Sequence, residues 1–399
     1  MKIVLKLVTL IIFIKIHDVL SQEVSIANQF LPEDAQLNFI QLAKKHGYSA
    51  EEHNVTTEDG YILRVFRIPG KRFKRPMLVM HGILDSADSW LLRGNSSPAL
   101  YYAALGYDLW FPNIRGNKYS RAHIRLNPDK DQKFWDFSLD EHGRYDLAAS
   151  IDLILKKTRS VNLSAIGHSQ GNTMFYVLTS TRPEYNSKIH LLIALAPICY
   201  LHNLRSPLSL VIALSPLLYR ALQSIGVTEV IGETSPLTVI VRLFCSQPVI
   251  GYLVCVEGVA FPIVGRDPDQ LEASFVPVLL GHYPTGVSLK NLYHFAQISL
   301  RKQFSRFDYG FQKNLMTYGS PKPPDYDLKK VTIKVALIAA DNDKLAPLEN
   351  VDLLKNQLPN VVKYIVNKYP NYNHVDYVLA RENEDLLVPY INKILEAYN

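Results

Sequence analysis

Short, nearly unbroken apolar runs alternate along most of this chain with longer stretches in which apolar residues recur every three or four positions. Residues 32–46 predict a helix, with Leu37, Ile40 and Ala43 on one face and Gly47 as its stop. Two strand-like runs follow, 53–57 and 61–68, with Glu58-Asp59-Gly60 between them as a hairpin signal. Strands are then predicted over 77–80, 107–111, 161–166 and 189–195, and helices over 98–105, 140–157 and 170–180. The alternation stops across 201–325, where apolar residues, scattered prolines and helix-like pieces yield few clear strands. It resumes with a strand at 333–340, a helix at 348–358, a strand at 361–366 and a last helix at 383–397. Such alternation predicts an α/β fold with a mostly parallel central sheet and helices on both faces. The expected division is a leader at 1–21, a first part of the core at 22–200, a mainly helical insertion at 201–325 and a second part of the core at 326–399.

The leader differs from the rest. Lys2 and Lys6 precede an apolar run from Leu7 to Ile16, broken by Thr9 and Lys15, and Val19 and Ser21 are small enough for a cleavage site. This predicts a secretory signal cut near Ser21. The run is too short to span a bilayer, so no transmembrane anchor is expected. The secretory route leads to the outside or to the lysosome, and secretion is the preferred expectation. Three sequons, at Asn54, Asn95 and Asn162, are candidate N-glycosylation sites on that route; Asn162 begins a predicted core strand and is the least accessible.

The formal charge is +6 without a Lys/Arg tract, which argues against a nucleic-acid partner. Of the three cysteines, Cys245 and Cys255 are near enough in sequence to close a short loop in an oxidising compartment. Cys199 lies in an apolar run and is expected to be a buried thiol. No cysteine–histidine spacing resembles a zinc site, and no metal or organic cofactor is implied. A monomer is expected.

The chemistry sits where strands end. Gly167-His168-Ser169-Gln170-Gly171 lies between a predicted strand and a predicted helix, the context of a nucleophile elbow. Serine needs a base, and the base needs an acid to hold its tautomer. In a sheet of this kind the order is serine, acid, histidine. Among the later histidines, His374 lies in a polar loop between the last strand and the last helix. The acid belongs just past the strand at 333–340, where Asp341 and Asp343 both stand; Asp376, two residues from the base, is a weaker third. Stabilising an oxyanion takes two pre-aimed N–H groups. Gln170, after the serine, is one candidate, and Ile83, in the His81-Gly82-Ile83-Leu84 loop after the strand at 77–80, is the other.

These motifs resemble the acid lipase family of the α/β-hydrolase fold, which includes gastric and lysosomal acid lipases and many insect members. The likeness extends from about Pro32 to the C-terminus. It is carried by Thr57-Glu58-Asp59-Gly60-Tyr61, His81-Gly82-Ile83-Leu84, Asn113-Ile114-Arg115-Gly116-Asn117, Phe134-Trp135-Asp136-Phe137-Ser138, the serine pentapeptide, Asn342-Asp343-Lys344-Leu345-Ala346 and Tyr372-Asn373-His374-Val375-Asp376. The resemblance implies a Ser169, Asp343, His374 triad with Ile83 and Gln170 N–H groups as the oxyanion hole. It implies a cap and lid in the insertion, whose runs 208–218 and 249–264 are too apolar for ordinary loops, and a cap disulfide between Cys245 and Cys255. The implied substrate is a lipid ester at an oil–water or membrane interface, of the triacylglycerol or cholesteryl ester type. The rival activities are small-ester hydrolysis and non-catalytic lipid carriage. The chain departs from the family pattern at Lys118-Tyr119, where Thr-Trp is usual, at Cys199, and in lacking a third cap cysteine near Val264.

Overall fold

The structure is a computed structural model that describes residues 31–399 apart from Lys74, Arg205, Glu233, Thr234 and Pro248; the leader at 1–21 lies outside the described residues. Eight strands form the main sheet: β1 (Glu51–Thr56), β2 (Ile62–Ile68), β3 (Met77–Met80), β4 (Leu109–Pro112), β5 (Leu163–His168), β6 (Ile189–Leu195), β9 (Lys334–Ala339) and β10 (Val361–Val366). The short strands β7 (Glu229–Val230) and β8 (Val287–Ser288) pair separately. The main order is β1-β2-β4-β3-β5-β6-β9-β10. The hairpin β1–β2 and the pair β2–β4 are antiparallel, and all other pairs of the main sheet are parallel.

The central strands β3 and β5 are buried along their whole length, as strands covered on both faces must be. One face packs against a cluster containing Phe39, Leu91, Leu100 and Ile391, and the other against Ile151, Ile154, Met174, Phe175 and Leu178. The helix Gln170–Thr181 is buried at every residue but its last, so the element that follows Ser169 is locked in the core.

Three predicted helices differ from the observed ones, each for a local reason. The stretch 32–46 splits into a 3-10 turn, Glu33–Ala35, and a helix, Phe39–Lys45, because Asn38 and Gln41 form a reciprocal capping box that starts a new helix. The stretch 140–157 is helical throughout but contains a π turn, His142–Leu147, where Asp146 takes hydrogen bonds from Arg115 and His142. The last helix breaks into Asn383–Leu386 and Val388–Tyr398, with Pro389 in the first turn of the second piece, where its missing N–H costs nothing.

Between β6 and β9 the chain leaves the sheet. This stretch holds the helices Leu208–Ser224, Pro236–Cys245, Val276–His282, Leu289–Arg301 and Phe311–Tyr318, together with the β7–β8 ribbon, which the apolar spacing does not announce. Cys245 and Cys255 are joined by a disulfide, and Cys199 is a buried free thiol. None of the described helices is long and apolar enough to cross a membrane. Asn54 and Asn95 are exposed, whereas Asn162 is half-buried and accepts a hydrogen bond from Arg75 Nε at 2.9 Å.

Candidate active site

Ser169 follows the carboxyl end of β5 with φ 54° and ψ −122°, a conformation that L side chains rarely adopt. The flanking glycines permit it. A Cβ on Gly167 would come within 2.6 Å of Asn172 Oδ1, and one on Gly171 within 2.8 Å of the carbonyl oxygens of Met80 and His81. The turn is held from outside: Ser169 N–H and Asn172 Nδ2 both donate to the Leu195 carbonyl at the end of β6, at 3.1 and 2.6 Å.

The other candidates also stand past the carboxyl ends of strands, where open α/β sheets collect their functional groups. His374 Nε2 lies 2.8 Å from Ser169 Oγ, and its Nδ1 lies 3.0 and 2.9 Å from the two carboxylate oxygens of Asp343. A carboxylate at Nδ1 keeps the proton on that nitrogen, leaving Nε2 to accept from the serine hydroxyl. Asp343 Oδ1 also accepts from the N–H groups of Leu345 and Ala346, at 2.9 and 2.8 Å. Ser169, Asp343 and His374 are all buried. Asp341 is exposed. Asp376 bonds elsewhere: its Oδ2 accepts from Asn373 N–H at 2.6 Å. Burial, with Asp267 beside it, holds the Asp376 carboxyl well above the usual carboxylate range.

The loop after β3 approaches the elbow closely. A Cβ on Gly82 would lie 3.3 Å from Ser169 Cβ and 3.1 Å from His168 Nδ1. This brings the loop that carries Ile83 close to the serine. Leu84, the next residue, has φ +59°.

Several groups beside the three candidates hold this arrangement. His168 Nε2 donates to the His374 carbonyl at 2.7 Å. Burial, with His374 nearby, pushes the His168 imidazole down to about 3, so it stays neutral. His374 N–H donates to the Val264 carbonyl at 3.1 Å, and Asn373 Nδ2 to the Gly265 carbonyl at 3.1 Å. The stretch between β6 and β9 therefore wedges Val264 and Gly265 against the histidine loop. A glycine following an apolar run is the only sequence signal for that wedge.

A hydroxyl hydrogen-bonded to an imidazole that a carboxylate orients is an arrangement in which the imidazole can take the hydroxyl proton as the oxygen attacks an acyl carbon. Among the described residues, no group of three or more His, Cys, Asp or Glu is arranged to hold a metal ion.

Comparison with known proteins adds family context. Residues 39–94 match the model for a partial α/β-hydrolase lipase region, and residues 75–220 the model for the α/β hydrolase fold. The chain is 38% identical to Lipase 1 of Drosophila melanogaster over 92% of its own length and 81% of that protein's. It is 34% identical to gastric triacylglycerol lipase of Bos taurus over 88% of each chain. Among solved structures, a thermostable carboxyl esterase from Bacillus coagulans aligns with TM-score 0.55 and 18% identity, over 88% of this chain and 98% of the other.

Proposed function

This chain belongs to the acid lipase family of carboxylic ester hydrolases, and from that premise we propose that it cleaves neutral-lipid esters, of triacylglycerol or cholesteryl ester type, with Ser169 as nucleophile. The supporting observation is the buried hydrogen-bonded series from Ser169 Oγ through His374 to Asp343. In the proposed cycle His374 Nε2 takes the hydroxyl proton as Ser169 Oγ attacks the ester carbonyl. Asp343 stabilises the imidazolium that results. The N–H groups of Ile83 and Gln170 hold the tetrahedral oxyanion. His374 returns the proton to the departing alcohol, then activates the water that cleaves the acyl-enzyme.

A lipid rather than a small soluble ester is favoured by the stretch between β6 and β9. Its helix Leu208–Ser224 contains no buried residue, and Leu210 and Leu217 are 67% and 69% exposed. So much apolar area facing water is a mark of an interaction surface. Residues 201–325 are accordingly assigned as the cap and lid, and 22–200 with 326–399 as the catalytic core. The Cys245–Cys255 bond suits the secretory route proposed from the leader, with secretion preferred over the lysosome and Asn54 and Asn95 as the accessible glycosylation sites.

Hydrolysis of emulsified long-chain and soluble short-chain esters by wild type and Ser169→Ala tests the proposal. Wild type is expected to prefer the emulsion, and Ser169→Ala to lose at least about 10³-fold on both. Undiminished activity in Ser169→Ala removes Ser169 as nucleophile. Equal preference for the soluble ester leaves a small-ester hydrolase.

A further inference from the structure

One short strap between β6 and β9 touches both sides of the proposed oxyanion hole. Thr285 is buried and reaches the loop after β3 twice: its N–H donates to the Leu84 carbonyl at 2.8 Å, and its hydroxyl to the Asp85 carbonyl at 3.0 Å. Further along, Asn291 Nδ2 donates to Gln170 Oε1 at 2.7 Å, with both side chains buried. The strap is itself anchored. Ser288 Oγ donates to the carbonyls of Trp135 and Phe137 at 2.7 and 2.9 Å, and β8 pairs with β7.

The contact with Leu84 falls where the backbone most needs support. At φ +59° Leu84 occupies a conformation that persists only when its surroundings impose it. Ile83, which carries the proposed donor, is its chain neighbour, so holding the Leu84 and Asp85 carbonyls restrains the loop on which that N–H sits. On the other side, Gln170 offers its N–H at the first residue of a helix, and its side chain is gripped by Asn291.

We propose that Thr285 and Asn291 are positioning residues that aim the two oxyanion N–H donors, so that the inserted stretch sets the catalytic rate as well as covering the site. This rests on the reading of Ser169 as nucleophile with Ile83 and Gln170 as oxyanion donors. Those donors act on charge that exists in the transition state, so misaiming them lowers kcat and leaves KM in place. The Asp85 carbonyl also accepts from Asn117 Nδ2, at 3.3 Å, so loss of the Thr285 hydroxyl loosens the loop without freeing it.

The test is steady-state hydrolysis of p-nitrophenyl butyrate below its solubility limit by wild type, Thr285→Val, Asn291→Leu, Thr285→Ser and Ser169→Ala. Thr285→Val and Asn291→Leu are expected to lose about tenfold in kcat with KM within about twofold, short of the 10²–10³-fold cost of deleting a donor. Thr285→Ser, which keeps the hydroxyl, is expected to restore kcat. Thr285→Ala removes the same hydroxyl and replaces Thr285→Val in the test if that protein does not fold. Wild-type kcat in the Thr285 and Asn291 variants beside an inactive Ser169→Ala overturns this inference alone, as does a change confined to KM. An active Ser169→Ala overturns the nucleophile reading and this inference with it.

Discussion

His168 Nε2 donates to the backbone carbonyl of His374 at 2.7 Å, so the residue before the elbow serine holds the loop that carries the imidazole. The same ring lies against Gly82 of the loop after β3. One side chain thus spaces three segments that meet at Ser169. Replacing it with leucine keeps much of the volume and removes the donor. His168→Leu is expected to lower kcat on a soluble ester about tenfold through a misplaced base. An unchanged kcat in a folded His168→Leu protein would show that the loop does not depend on this bond.

Gly265 stands between the loops of Asp343 and His374. Its φ is +110°, and a Cβ there would overlap the Asn342 carbonyl oxygen and lie 2.9 Å from Asn373 Cβ. Gly265→Ala is expected to cost about 3 kcal/mol of stability from strain and overpacking together. It should also depress activity by moving the loops apart. Chemical denaturation and kcat on the same sample check both, and a variant with wild-type stability would count against the wedge.

Asp85 links stability to pH. Burial pushes its carboxyl up to about 7, against 3.8 for an ordinary aspartate. Between those values the folded state holds a proton that the unfolded chain has released, so this contribution is full below the ordinary aspartate range and is lost as pH rises through about 7. Asp85→Asn removes the dependence. The stability of wild type relative to Asp85→Asn is expected to fall on going from about pH 5 to pH 8, by on the order of a few kcal/mol. Buried His81 and His168, pushed down to about 4 and about 3, act in the opposite sense below the ordinary histidine range. The comparison between the two proteins cancels them. Parallel unfolding curves across that range would show that Asp85 titrates as an ordinary carboxylate.

Leu217 tests the interface. At 69% exposure it contributes little to folding, so Leu217→Asp is expected to keep wild-type stability and activity on a soluble ester. On emulsified long-chain triacylglycerol it should lose about tenfold, the order expected from forfeiting one buried leucine at the lipid surface. Equal activity of both proteins on the emulsion would remove the helix Leu208–Ser224 from the proposed contact.

Much of this protein is decided locally and is legible in order along the chain. Apolar runs in β3, β5, β6 and β9 identify themselves because strands buried on both faces leave few polar positions to interrupt them. Gly167 and Gly171 announce the elbow because a tight turn excludes a Cβ, a constraint that two positions suffice to express. Other features depend on partners far away in sequence. From residues alone Asp341 and Asp343 stayed open; in the fold the first is exposed, and the second faces His374. Asn38 starts a new helix inside an apparently continuous apolar pattern, because a side-chain cap outweighs periodicity. Thr285, Asn291 and Gly265 have no motif, since their importance lies in which backbone each meets when the stretch between β6 and β9 folds back on the sheet. The candidate serine, acid and histidine are legible in their order, but their meeting at hydrogen-bond distance is settled by contacts between segments that only packing brings together.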